Sequence, residues 1–215
     1  QSLLVIKSVS IAESYPGEVD LKTGTLTMFP VDGGKASFGG FEYAADGKSV
    51  YFVSDEPVKG VAQEFRTLRH HDPKTGALTV ISGKIPWDVG GFNLSDDGTR
   101  LAYVSNEDGI SKLRVLSVPD HREIALPDLP IGVFDSGAFS PDGKRIALTI
   151  NSATSPSDVY VIDLDQSNVT AWTRSEVGGL DASKFVAPSL VRYPTFDKIG
   201  GKTRTIPAFY YRPAN

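Results

Sequence analysis

Three segments of the chain carry one pattern: "FEYAADGKSVYFVSD" over residues 41–55, "FNLSDDGTRLAYVSN" over 92–106 and "GAFSPDGKRIALTIN" over 137–151. Each runs from a short apolar stretch through an Asp-Gly pair into a run of β-branched and aromatic residues. The pairs Asp46-Gly47, Asp97-Gly98 and Asp142-Gly143 stand 51 and 45 residues apart. A second landmark keeps similar time. "DLKTGTL" at 20–26 returns as "DPKTGAL" at 72–78, 52 residues on, with a fainter echo in "DLDQSNV" at 163–169. A period of this size marks a repeat architecture, and it constrains the fold more tightly than any bulk property.

Each unit has a simple physical reading. Asp-Gly supplies a positive φ at little cost and turns a hairpin. A third strand follows ("EFRTLRH", "KLRVLSV", "DVYVIDL"), then a turn and a fourth ("ALTVIS", "REIALP", "NVTAWT"). Four short hairpin-connected strands per repeat make a propeller blade. The sequence therefore predicts an all-β chain, a partial β-propeller of four-stranded antiparallel blades. Three full blades are expected at residues 35–81, 86–126 and 132–173, with a partial blade at 1–29. Together they make a propeller segment over 1–188, followed by exit strands over 189–215. With 21 Gly and 14 Pro punctuating the chain, the one helical candidate is a turn near 182–185. Closed propellers take four to eight blades. An arc this short leaves apolar end faces that a longer chain covers, that a second copy covers by completing a ring, or that stay open and sticky, the longer chain being the expectation. A phosphate loop is the competing reading of "SPDGKRIAL". It would need a Gly-rich run opening a helix, and this string has one Gly and opens a strand.

Composition narrows the chemistry. There is no cysteine, which excludes disulfides, thiolate catalysis and Cys-ligated zinc. A formal charge of -4 draws the chain toward neither nucleic acid nor anionic membrane. No apolar run approaches the ~18 residues of a spanning helix. The start, "QSLLVIKSVS", lacks the basic segment and cleavage site of a signal peptide and begins without Met. A processed chain or a portion of a longer one is expected, with periplasm and cytoplasm both open as its compartment.

The blades resemble the TolB-like "SPDG" repeats of bacterial proteins. The segment "LVRYPTFD" followed by "RTIPAFYYRP" resembles the exit from propeller to hydrolase domain in the prolyl oligopeptidase family of serine peptidases. That pattern is an aromatic-bearing strand, an Asp-containing turn and an Ile-Pro strand ending in Pro. Its places are held by Tyr193, Asp197, Ile206, Pro207, Tyr211 and Pro213. One departure is that the tight Asp-Gly turn is spread into "DKIGGK". The resemblance implies a propeller seated over an α/β-hydrolase domain of the same parent chain, admitting oligopeptides and restricting larger substrates. It also implies acyl transfer from a Ser in a G-x-S-x-G elbow, served by a Ser-His-Asp triad. The sequence contains no G-x-S-x-G. No catalytic residue, cofactor or metal ligand is therefore assigned to this chain. Dipeptidyl peptidases of the family hold the substrate ammonium with a Glu pair on a helical insertion of the propeller. That insertion is not seen here, and Asp55 and Glu56 in "SDEP" are the candidate substrate-binding residues by this likeness.

Other residues have plainer expectations. His70 and His71 are adjacent on a strand and point to opposite faces, which makes them poor joint metal ligands. His121 is expected in water, in the turn "PDHRE". Asp163 and Asp165 lack the rest of a calcium loop and read as turn residues. Arg66, Arg69 and Arg114 are expected on solvent faces or in interblade pairs, with the binding of a substrate carboxylate as the rival role. Trp87 and Trp172 fall near blade junctions, as do Phe41, Phe92 and Phe139, and these aromatics read as interblade core. Gly39-Gly40 and Gly90-Gly91 open the first strands, where backbones approach closely. Two rival functions stand beside the peptidase gate. One is a TolB-like propeller that binds a protein or peptide partner. The other is a channel-mouth lyase or glycosidase, for which Asp135 is the acid in place.

Overall fold

A computed structural model describes residues 1–31 and 34–212. The first sheet holds three antiparallel strands, β1 (Ser2–Ser10), β2 (Glu13–Asp20) and β3 (Leu26–Met28). Three four-stranded antiparallel sheets follow. The first is β4 (Phe38–Tyr43), β5 (Val50–Ser54), β6 (Thr67–Asp72) and β7 (Ala77–Val80). The next is β8 (Val89–Leu94), β9 (Arg100–Glu107), β10 (Ile110–Ser117) and β11 (Glu123–Ile124). The last is β12 (Ala138–Phe139), β13 (Arg145–Ile150), β14 (Asp158–Asp163) and β15 (Asn168–Ala171). A 3-10 turn, Ala182–Lys184, precedes the hairpin of β16 (Ser189–Ile199) and β17 (Lys202–Tyr210). The architecture is the expected one: an all-β, partial propeller of four-stranded blades.

The Asp-Gly turns work by local chemistry. Gly47, Gly98 and Gly143 take φ of 62°, 66° and 66°. Each preceding carboxylate accepts backbone N–H groups on the far side of its turn: Asp46 from Lys48 and Ser49, Asp97 from Thr99, Asp142 from Lys144. Hydrogen bonds from Ser49 and these amides hold the Asp46 carboxyl down at about 2. A Cβ on Gly98 would stand 2.4 Å from that of Ala45, so neighbouring blades nest turn against turn.

Blades stack face to face, and each seam has its own apolar cluster. Phe38 and Phe52 fill the seam between the first sheet and the β4–β7 blade. Tyr51 and Val53 meet Leu101 and Tyr103 at the next. Ala102 and Val104 meet Ile146, Leu148 and Ile150 at the third. The second strand of each blade thus sends alternate residues forward and back, as a pleated strand must. Strand β5 is buried on both faces, while β13 alternates exposed and buried along its length. Its backward residues are core, and its forward residues Ala147 and Thr149 face water. Trp172 lies just beyond β15 on that same forward side and is 65% exposed. This corrects the expectation of an interblade core position, because no blade covers that face among the described residues. Phe92 is buried and Phe41 and Phe139 are half-buried against the clusters, as matched aromatics should be.

The first sheet is incomplete in a specific way. "DLKTG" joins β2 to β3 as "DPKTG" joins β6 to β7. By that register β1, β2 and β3 are the second, third and fourth strands of a blade. The inner, first position beside β1 is open among the described residues. The seam here is also thin, with a groove of about 1310 Å³ between the sheet and β4–β7 lined by Phe29, Phe41, Val50 and Leu78 among others.

Candidate functional site

The inner strands β4, β8 and β12 lie side by side and line the axis of the arc. Side chains stitch them together. Glu42 on β4 accepts the Leu94 N–H of β8, and its half-burial raises its pKa. Asn93 on β8 donates to Ser136 Oγ at 2.9 Å and to the Gly137 carbonyl. Asp135 is exposed at the start of this third inner segment and accepts the Gly137 N–H.

One end of the arc carries the loops between second and third strands. The hairpin β16–β17 rests on that end. Arg192 of β16 pairs with Asp108 in the β9–β10 turn. A Cβ on Gly109, at φ 83°, would stand 2.8 Å from the Phe209 ring of β17. The hairpin turns through Gly200 and Gly201, at φ 56° and 80°, so the spread "DKIGGK" turn is made by two glycines. Tyr193 and Ile206 are paired across the hairpin, and Asp197 pairs with Arg204. Tyr193, Phe196 and Tyr211 leave a broad apolar surface in water. Pro213 lies outside the described residues.

The corresponding loop of the preceding blade, residues 55–66, opens at the same end. Asp55 accepts the Ser37 N–H at 2.7 Å. Glu56 is nearly buried, and its carboxylate lies 3.7 Å from Arg69 Nη1. Arg69 is fully buried, which corrects a solvent-face expectation. It donates through Nη2 to the Glu56 carbonyl at 2.6 Å and through Nε to Thr67 Oγ1 at 3.0 Å. The pair therefore ties the loop to β6 within one blade. Arg114 behaves similarly, bonding Glu107 and Ser105 of the adjacent strand in its own sheet. Asp163 accepts two amides of its own turn and Asp165 pairs with Arg100 and Lys144, so both are structural.

Two histidines meet across the seam, which the sequence reading missed. The Tyr51 hydroxyl bonds His121 Nε2 at 2.9 Å, and His70 stacks on Tyr51 at 4.5 Å. The rings of His70 and His121 are 5.6 Å apart. His121 is thus half-buried and bonded, not simply solvated. Burial lowers the pKa of both imidazoles, against the pull of Asp46 and Asp72 on His70 and Asp120 on His121. His71 and His70 add to the lowering. A depressed folded pKa means that the unfolded chain takes up protons first, so stability falls as pH drops through the ordinary His value near 6.5. The Asp46 carboxyl beside His70 titrates well below that window. Denaturant midpoints are therefore expected to fall between pH 7.5 and 5, and to fall less in a His70→Asn, His121→Asn variant. An equal fall in both proteins would remove the assignment.

No family model matches the sequence, and no curated protein matches it. Solved structures do. A puromycin hydrolase superposes with TM-score 0.74 at 16% identity, over 99% of this chain and 32% of its own. The apo form of prolyl oligopeptidase B from Galerina marginata superposes with TM-score 0.73 at 12% identity, over 97% and 29%. A chain from a study of two prolyl endopeptidases gives 0.72 at 17% identity, over 97% and 29%. The shared fold is a propeller arc. At these identities the likeness shows the fold alone, and the chain spans about 30% of the length of the proteins it matches. Almost the whole chain takes part, including the hairpin that the arc carries at one end.

Proposed function

We propose that this chain is the propeller portion of a prolyl oligopeptidase family serine peptidase and acts as its substrate gate. The observation that carries the reading is the hairpin β16–β17. It docks on one end of the arc through Arg192–Asp108 and Phe209–Gly109, and it holds Tyr193, Asp197, Ile206 and Pro207 of the pattern that resembles the family's exit to the hydrolase domain. A hydrolase domain of the same parent chain would sit at that end, over the exposed Tyr193, Phe196 and Tyr211. Residues 1–188 are then gate and 189–215 the passage to the catalytic domain. The gate supplies no chemistry. It supplies rigid walls and a bore that passes short peptides, and the triad beyond it performs acyl transfer.

The same reading gives Asp55 and Glu56 to the wall that meets substrate. In that role they would exchange the Ser37 N–H and the Arg69 guanidinium for a substrate ammonium. Blades of the parent chain, rather than a second copy of this one, would cover the forward face of β13 and complete the ring.

The test uses the natural product that contains this sequence. A fluorophosphonate probe should label one serine, in a G-x-S-x-G peptide C-terminal to residue 215. Absence of labelling in a product of about this chain's 23.1 kDa would overturn the reading and favour a propeller that binds a protein or peptide.

A further inference from the structure

The blades can be superposed on their third-to-fourth strand turns, and the position six residues before each turn is informative. Counting back from Asp20, Ser117 and Asp163 gives Ser14, Ser111 and Ser157. Ser14 and Ser111 make the same reciprocal bonds to the next blade. Ser14 Oγ accepts the Phe38 N–H and donates to the Phe38 carbonyl. Ser111 does so with Phe134. Ser157 accepts a bond from Ser175 through its carbonyl.

Counting back from Asp72 gives Arg66. The arginine cannot make the serine's bonds, and the seam is rewired around it. Asp88 caps the Arg66 N–H at 2.8 Å, and the Val89 N–H goes to the Arg66 carbonyl. The guanidinium reaches back across its own blade to the inner strand. There a Cβ on Gly39 would stand only 2.4 Å from Arg66 Nη2, so glycine is what admits it. The buried Arg66 Nε has no hydrogen-bond partner, and no carboxylate pairs with this side chain among the described residues. A buried guanidinium donor without an acceptor is costly. A fork of this shape suits a carboxylate, which it can bind through two parallel bonds.

We propose that the Arg66 guanidinium, where it lies against Gly39, is an anion-binding site on the inner strand, and that its ligand is the C-terminal carboxylate of a peptide. The site opens at the end of the arc where the hairpin docks, since residues 55–66 and the β9–β10 turn are the equivalent loops of adjacent blades. The choice of a peptide as the source of the carboxylate rests on the proposed peptidase function; the anion site itself does not.

The experiment is NMR titration of this chain with an N-acetylated tripeptide, its C-terminal amide, acetate and inorganic phosphate. The free acid should shift the Gly39 amide and the Arg66 Nε–H signals, and the amide should bind at least tenfold more weakly. Arg66→Ser places the sister-blade residue here and should lose binding while keeping the fold. Gly39→Ala keeps the charge but displaces the guanidinium, and it should weaken binding by a similar factor. Acid and amide binding alike, or both variants binding as wild type does, would overturn the site. Acetate or phosphate binding as tightly as the peptide would overturn the peptide assignment and leave the anion site standing. Loss of fluorophosphonate labelling with the titration intact would reject the peptidase reading and not the site.

Discussion

Arg69→Ala is expected to destabilise the chain by about 3–5 kcal/mol, the usual cost of breaking a buried ion pair from one side. The guanidinium is fully buried, and it ties the β5–β6 loop to β6 through the Glu56 carbonyl and Thr67. Alanine removes both bonds, opens a cavity and takes the countercharge from beside the nearly buried Glu56 carboxylate. The pair itself is loosely made. At 3.7 Å, Nη1 is in Coulombic reach of Glu56 Oε2 but is not hydrogen-bonded to it, and burial lowers the Arg69 pKa. Replacing both charges should therefore cost less than removing one. Arg69→Met with Glu56→Leu should recover much of the stability that Arg69→Met alone loses. Urea denaturation of the four proteins gives the comparison. A loss below about 1 kcal/mol for Arg69→Ala would contradict the burial argument, and so would a double variant no better than the single.

Much of the fold is legible in the sequence because it rests on local chemistry. Asp-Gly turns, Asp caps and strand periodicity act within a few residues, and each recurs three times. What escapes the sequence depends on contacts across seams. The Tyr51–His121 bond joins residues 70 apart, and no local pattern announces it. Arg69 reads as a surface cation until its strand is seen to be covered on both sides. Trp172 reads as core because it sits near a blade junction, yet it is exposed, with no blade over it among the described residues. Arg66 is the instructive exception. Its departure from Ser14, Ser111 and Ser157 is visible by counting back from the turns, once those turns are taken as the frame of the repeat.

The forward and backward faces of the second strands yield the other large effect. Ala102 on β9 faces forward into the seam with the last blade and is fully buried. Glutamate there puts a carboxylate among Ile146, Leu148 and Ile150 with nothing to pair it. The cost is expected to be several kcal/mol, a large share of the ~5–15 kcal/mol of a typical domain. Ala147 holds the same place on β13, but its forward face is in water. Glutamate at 147 should change the stability of this chain by no more than about 0.5 kcal/mol, as exposed substitutions do.

The most direct test of the propeller-arc account is Ala147→Glu measured twice, in this chain and in the natural product that contains it. If further blades of the same product complete the ring, the substitution is neutral in the first and as damaging as Ala102→Glu in the second. A neutral result in both would mean that nothing packs on the forward face of β13, and the account of this chain as one arc of a larger propeller would fail.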